Sequence, residues 1–124
     1  MVSYMIYKLM HFLGLFTALV VMAARAGWLL RGDTATASTR RRLTGFAHGI
    51  AVFLILLGGF GMLARLGIAQ QGLPGWIYLK LAIWVTFAGL IGLVGRGGTA
   101  ARVALVALPL LALAGGAVAL YKPL

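Results

Sequence analysis

The chain has 124 residues but contains no cysteine and only one acidic residue, Asp33. Without cysteine it cannot form a disulfide framework, a thiolate metal site or a catalytic thiol. Without a pair of carboxylates it cannot carry out carboxylate acid–base catalysis, build a carboxylate metal centre or pump protons through carboxylates. A Ser-His-Asp set is also absent, since the single acid lies between apolar runs. This inventory leaves the question of enzymatic activity open but favours a role without catalysis.

Charged residues of any kind are scarce, whereas apolar residues are abundant. The chain is 10% charged and 63% hydrophobic, with a mean hydropathy of +1.06. Because soluble domains are about a quarter charged, this composition excludes a water-soluble domain. The net charge of +10 comes from basic residues at the ends of long apolar runs, which is how membrane segments are flanked. We therefore exclude nucleic acid as a partner.

Four apolar stretches reach the length of about 20 residues that a membrane-spanning helix needs. They cover residues 4–30, 43–64, 75–95 and 101–121. The connections are short, and Gly97 and Gly98 in the third are helix stop signals. Short connections make consecutive helices antiparallel neighbours. The sequence therefore predicts one all-α domain over residues 1–124, an integral membrane four-helix bundle with up-down-up-down topology.

The distribution of basic residues predicts the orientation of the bundle. Seven lie on the side of the first and third loops: Arg25, Arg31, Arg40, Arg41, Arg42, Arg96 and Arg102. Four lie on the side of the termini and the second loop: Lys8, Arg65, Lys80 and Lys122. We expect loops 1 and 3 to be cytoplasmic and both termini periplasmic, in a bacterial inner membrane. A cleaved signal peptide is disfavoured, because the only early side-chain charge, Lys8, lies inside the apolar segment.

Small residues spaced four apart occur on every span. Helices in a bilayer associate through close packing of such residues. The pairs are Gly14 with Ala18, Gly45 with Gly49, Ala88 with Gly92, and Ala112 with Gly116. The sequence predicts that these pairs are the contact seams of the bundle.

Two ionisable side chains within the spans, His11 and Lys80, mark a candidate site. Both are predicted to lie a turn or two inside the outer surface, because the first and third spans enter from that side. Tyr7 shares the helical face of His11, and Trp76 and Trp84 share that of Lys80. These residues predict a cleft for an anionic or aromatic ligand or for haem b. The alternative is that Lys80 extends its amine outward and His11 hydrogen-bonds between helices.

Ligation of one haem by both His11 and His48 is excluded by depth. His11 lies about 10 Å inside one surface and His48 about 7 Å inside the other. In a core of about 30 Å the two are then about 13 Å apart along the membrane normal. A haem iron bound by His11 alone, or by His11 and a partner subunit, remains open. His48 is expected to bond a backbone or hydroxyl group near Thr44.

A juxtamembrane basic cluster is predicted to attract anionic lipid headgroups, with about 1 kcal/mol from each basic residue. It consists of Arg31, Arg40, Arg41 and Arg42. The alternative is that these arginines serve only as a topology signal.

The chain resembles a group of small bacterial four-helix membrane proteins: the SirB-like family, the CopD-like copper-resistance domain and the HemJ-type protoporphyrinogen oxidases. The residues that carry the resemblance are Tyr7-Lys8-Leu9-Met10-His11 with Gly14, Arg41-Arg42 with His48, and Trp76 followed by Leu79-Lys80-Leu81. The HemJ-like branch implies a b-type haem on His11 and a functional Lys80. The CopD-like branch implies copper, which is disfavoured because Met5, Met10 and Met22 do not share one stripe with His11.

Two functions follow as hypotheses. The first is a small inner-membrane accessory or scaffolding subunit that packs against transmembrane helices of other subunits or of a second copy. The alternative is a b-type haem-binding redox protein or porphyrinogen oxidase that uses His11 and Lys80. A small transporter is disfavoured, because one acidic residue offers little for coupling.

The predicted orientation can be tested with single cysteines, because the chain has none of its own. In intact cells we expect Ala37→Cys to be protected from a membrane-impermeant maleimide and Ser3→Cys to be labelled. Labelling of position 37 from outside would overturn the orientation.

Overall fold

A computed structural model describes residues 3–31 and 37–122, which form four α-helices and contain no strand. The helices are α1 Tyr4–Leu30, α2 Ala37–Arg65, α3 Gly75–Val94 and α4 Gly98–Tyr121. A short 3₁₀ helix, Ala69–Gln71, lies between α2 and α3. All four α-helices are long and apolar enough to cross a membrane. The predicted all-α membrane bundle is therefore confirmed.

The helix ends agree with the predicted spans to within one residue except at the starts of α2 and α4, and α4 begins at Gly98 instead of residue 101. α1 coincides with the span at 4–30, and the Ser3 side chain caps it by accepting a hydrogen bond from the Ile6 N–H at 3.3 Å. α2 begins at Ala37 instead of residue 43. Hydropathy marks where a helix meets lipid, but a helix can continue into the headgroups through good helix formers such as arginine. Arg40, Arg41 and Arg42 thus lie on α2 instead of in a loop, while residues 32–36, with Asp33, lie outside the described residues.

The turn between α3 and α4 depends on two adjacent glycines. Gly97 has a φ of 67° and Gly98 a φ of 53°, in the left-handed region that glycine adopts without steric cost. The Gly97 N–H donates to the Val94 carbonyl at 3.1 Å, which satisfies the end of α3. α3 ends at Val94, before the predicted stop signals, while Gly98 is already the first residue of α4.

The core of the bundle lies between its middle and one end. We call this end the arginine-rich end, because the ends of α1 and α3 and the starts of α2 and α4 that form it carry the seven arginines. α1 packs along α2 and also against α4, while α3 packs mainly on α4. The buried core residues are Ala18, Met22, Ala26, Ala51, Ile55, Phe87, Leu90, Val94, Ala101, Ala104 and Leu108. Because five of these are alanines, the helix backbones approach closely.

Close contact between α1 and α2 requires glycine at three positions. A Cβ on Gly14 would lie 2.5 Å from the Ala51 carbonyl oxygen and 2.9 Å from the Ile55 nitrogen. Cβ atoms on Gly58 and Gly61 would collide with Tyr7 and, in the case of Gly58, also with His11. The glycines of α1 and α2 therefore form one continuous seam.

Only the first of the four predicted small-residue seams has both members buried inside the bundle. Gly14 and Ala18 are buried as expected. Cβ atoms built on Gly45, Gly49, Gly92 and Gly116 would have no atom within 4 Å, so the prediction was wrong for these glycines. A four-residue spacing shows that two small residues share a helix face, but not that this face points inward. On α2 the inward glycines are Gly58 and Gly61.

Large apolar side chains point outward from all four helices. Exposed fractions reach 70% for Phe46 and Leu113 and 80% for Leu120. A soluble monomer does not expose so much contiguous apolar surface. Lipid tails therefore form the environment of these faces.

The glycine seam can be tested by adding one methyl group. We expect Gly14→Ala to destabilise the bundle by about 1–3 kcal/mol, because a Cβ there meets backbone atoms that must move apart. Gly49→Ala is the matched control, since nothing lies within 4 Å of its Cβ. Unfolding in detergent micelles, followed by helicity, measures both variants. Equal effects of the two substitutions would contradict the assigned seam.

Candidate functional site

His11 connects α1 to α2 through a backbone carbonyl. Its Nδ1 lies 2.8 Å from the Ile55 carbonyl oxygen. Because a carbonyl only accepts hydrogen bonds, Nδ1 carries the hydrogen and donates it, so Nε2 of the neutral ring keeps its lone pair. The alternative role predicted for His11 was a hydrogen bond between helices, and this hydrogen bond is present. It also leaves one ring nitrogen available to accept a hydrogen bond or to bind a metal.

Glycines near the end of α2 leave room for Tyr7 and His11 of α1. A Cβ on Gly58 would lie 2.6 Å from the Tyr7 carbonyl oxygen and 2.7 Å from the His11 nitrogen. A Cβ on Gly61 would overlap the Tyr7 ring. These glycines were missed in the sequence analysis, although the Gly58-Gly59 and Gly61 cluster was visible. In an antiparallel hairpin the last turns of α2 lie opposite the first turns of α1. This register is the signal in the sequence that points to Gly58, Gly59 and Gly61 as neighbours of Tyr7 and His11.

Lys80 of α3 comes near the same place. It is half-buried and lies within Coulombic range of His11. The described side chains include no carboxylate, because the single acid of the chain lies within residues 32–36. The structure therefore places Tyr7 and His11 of α1 against the glycines of α2, with Lys80 of α3 within Coulombic range of His11.

The two tryptophans predicted for the cleft lie one helical turn to either side of Lys80. Trp84 donates its indole N–H to the Val52 carbonyl of α2 at 3.0 Å. Trp76 holds the Lys122 amine 5.5 Å from its ring centroid. Trp84 therefore connects α3 to α2 at the inner side of the site, and Trp76 contacts the end of α4 at the outer side.

This half of the bundle is less densely filled than the arginine-rich half. Its buried apolar residues, Leu63, Ile77 and Val118, do not join the main core cluster. Lys8, on the same half, extends along its own helix, with its amine 5.9 Å from the ring centroids of Tyr4 and Phe12. The surroundings of His11 thus contain fewer buried apolar side chains than the alanine-rich core.

His48 connects α2 to α3. Its Nε2 donates to the Ala88 carbonyl at 3.0 Å, and its buried Nδ1 has no hydrogen-bond partner. The expected partner near Thr44 is therefore wrong, because the Thr44 hydroxyl donates to the Arg40 carbonyl of its own helix at 2.7 Å. Side-chain bonds from His48 and Trp84 span an interface at which the α2 and α3 backbones make few close contacts.

The positions of the two histidines agree with the exclusion of one shared haem. His11 bonds at Ile55, which lies seven residues, or about 10 Å, along α2 from His48. Among the described residues, no group of three or more His, Cys, Asp or Glu converges to hold a metal. If a haem were bound, His11 would be the residue of this chain to hold its iron, through Nε2. An Nδ1–H bonded to a carbonyl commonly orients a metal-binding histidine.

The arginines predicted to bind lipid gather at the opposite end of the bundle. Arg31 caps α1 through its backbone N–H, which donates to the Gly27 carbonyl at 3.2 Å. The Arg40 guanidinium lies 4.9 Å from the ring centroid of Trp28. Arg41 and Arg42 are exposed on the first turns of α2. These four residues are therefore brought to one end, as expected.

Compared with protein-family models, with curated proteins and with solved structures, the chain has no match. The resemblance to the SirB-like, CopD-like and HemJ-like group therefore stays a prediction. It depends on the short motifs around His11, His48 and Lys80, of which the structure brings His11 and Lys80 near each other.

Proposed function

We propose that this chain is an accessory or scaffolding subunit of a bacterial inner membrane, without catalytic activity of its own. In this proposal it packs against transmembrane helices of other subunits or of a second copy. Loops 1 and 3 face the cytoplasm, because the arginine-rich end carries seven of the eleven basic residues. The observation that carries the proposal is the position of small residues on the outside of the bundle.

The outer face of α3 is lined by a stripe of small residues. Its members are exposed and recur every three or four positions, which places them on one side of the helix. We call them the α3 outer stripe: Ala82, Thr86, Gly89 and Gly92. The Thr86 hydroxyl donates to the Ala82 carbonyl of its own helix at 2.9 Å. The same face also exposes Tyr78 and Val85 toward the start of α3, so the stripe is free of large side chains only over its second half. Its one polar group is already bonded.

The outer faces of α1 and α4 expose more large side chains than α3, on which Tyr78, Leu79 and Val85 are exposed. Those of α1 and α4 include Leu9, Phe12, Phe16, Val106, Leu110 and Leu113. Large apolar side chains suit contact with lipid tails, whereas small residues let another helix backbone approach closely. The difference between the faces favours α3 as the side that meets another helix. Gly45 and Gly49 offer a second open position on α2.

The test is the size of the complex purified from native membranes in mild detergent. We expect a complex larger than the 13.1 kDa chain, and we expect Gly89→Leu to dissociate it because the leucine holds the partner helix away. Gly116→Leu is the matched control, an exposed glycine on α4 with nothing within 4 Å of its Cβ. A bare monomer, or equal dissociation by both variants, would contradict the proposal. Disulfide cross-linking of Thr86→Cys separates the two kinds of partner, because a second copy gives a product of twice the chain mass.

The second candidate function is a haem-binding redox protein or porphyrinogen oxidase. The observation that favours it is the His11 Nδ1–H bond to Ile55, which leaves Nε2 to bind iron. Lys80 would supply positive charge for a haem propionate. The bound haem would supply the redox chemistry, while the chain would orient it through His11 and Lys80.

An absorption spectrum separates the two functions. If haem is bound, protein expressed with ample haem shows a visible band that His11→Ala abolishes. His48→Ala, at the other histidine, should retain the band. Wild-type protein with no haem band would rule out this second function and would leave the first unaffected.

A further inference from the structure

Arg25, near the end of α1, is held against the first turn of α2. One terminal nitrogen of its guanidinium, Nη2, donates to the Arg41 carbonyl oxygen at 3.3 Å. Arg25 is half-buried and lies five residues, or about 8 Å, inside the end of α1 at Leu30. The guanidinium therefore has a defined position between the two helices, and most of its five N–H donors are left for other partners.

The first turn of α2 brings a second positive residue to this place. Arg25 and Arg41 lie within Coulombic range of each other, and the Arg41 side chain is exposed. Two like charges at this range repel each other, and an anion bound by both relieves the repulsion. An arginine guanidinium matches the oxygens of a phosphate through paired N–H donors. The pair therefore suits a phosphate that is bound by both guanidinium groups.

The position of the pair along the two helices indicates where this anion comes from. α1 and α2 are both apolar enough to cross a membrane, and Arg25 and Arg41 lie near the arginine-rich ends of these two helices. The headgroup region extends about 5–8 Å beyond each side of the hydrocarbon core. We therefore expect Arg25 and Arg41 to lie at the level of the lipid phosphates. A phosphodiester attached to acyl chains reaches this level as part of the membrane itself.

We propose that Arg25 and Arg41 bind the phosphate of an anionic phospholipid in the groove between the end of α1 and the start of α2. This site is more specific than the basic cluster predicted from the sequence, and it includes Arg25, which that cluster left out. It does not depend on the scaffolding function. His48, which also lies within Coulombic range of Arg25, is not part of the site, because its free Nδ1 is buried away from the surface.

The test is the lipid preference of the full chain in neutral detergent micelles, measured by native mass spectrometry with equal amounts of phosphatidylglycerol and phosphatidylcholine. We expect wild-type protein to retain phosphatidylglycerol preferentially. Arg25→Gln and Arg41→Gln should each lower this preference about tenfold or more, because each removes charge-assisted hydrogen bonds to the phosphate. Arg42→Gln is the matched control, since it removes the same charge from the neighbouring exposed position and should change the preference about twofold or less.

Two further variants and measurements complete the test. Arg25→Lys keeps the charge but loses the planar guanidinium with its paired N–H donors, so we expect it to lose most of the preference for phosphatidylglycerol. Circular dichroism checks that each variant folds. If Arg25→Gln does not fold, the lipid preference of Arg41→Gln decides the test, because the backbone carbonyl at position 41 still accepts the hydrogen bond from Arg25. Equal losses in the three Gln variants, or a wild-type preference in Arg25→Lys, would show diffuse charge attraction and overturn the defined site. Displacement of the lipid by excess inorganic phosphate would identify free phosphate as the ligand and overturn the lipid source.

Discussion

The close approach of α1 and α2 is the contact on which the rest of the structure depends. Lipid gives helices no hydrophobic reason to associate, so the contact must come from packing and hydrogen bonds. Gly14, Gly58 and Gly61 remove the side chains that would hold the backbones apart. That approach lets the His11 ring reach the Ile55 carbonyl. One pair of helices thus provides both a close backbone approach and the candidate site.

The other interfaces of the bundle use different means. α1 meets α4 through buried alanines at the arginine-rich end. α2 and α3 are instead joined by the side chains of His48 and Trp84, which donate to backbone carbonyls of the opposite helix. A carbonyl that already accepts within its helix has a second lone pair, so these bonds do not break the helix ladder. Polar side chains therefore hold the interface where the backbones stay apart.

The bundle has two ends of different chemistry. One end holds His11, Tyr7 and Lys80, where buried apolar residues are few. The other end gathers arginines around a core of alanines, and Arg25 reaches across from α1 to α2. The chain as a whole carries eleven basic residues against one acidic residue.

The sequence by itself determined the number of helices, most of their ends and their membrane character. Helix length and hydropathy are local properties, and short loops leave only one simple topology. Tertiary structure decided which face of each helix points inward. It placed Gly45 and Gly49 outside and Gly58 and Gly61 inside, and it paired His48 with Ala88 instead of Thr44. The physical reason is that a helix with apolar residues on every side carries no hydrophobic stripe to mark its buried face. Only the fit of neighbouring backbones selects that face.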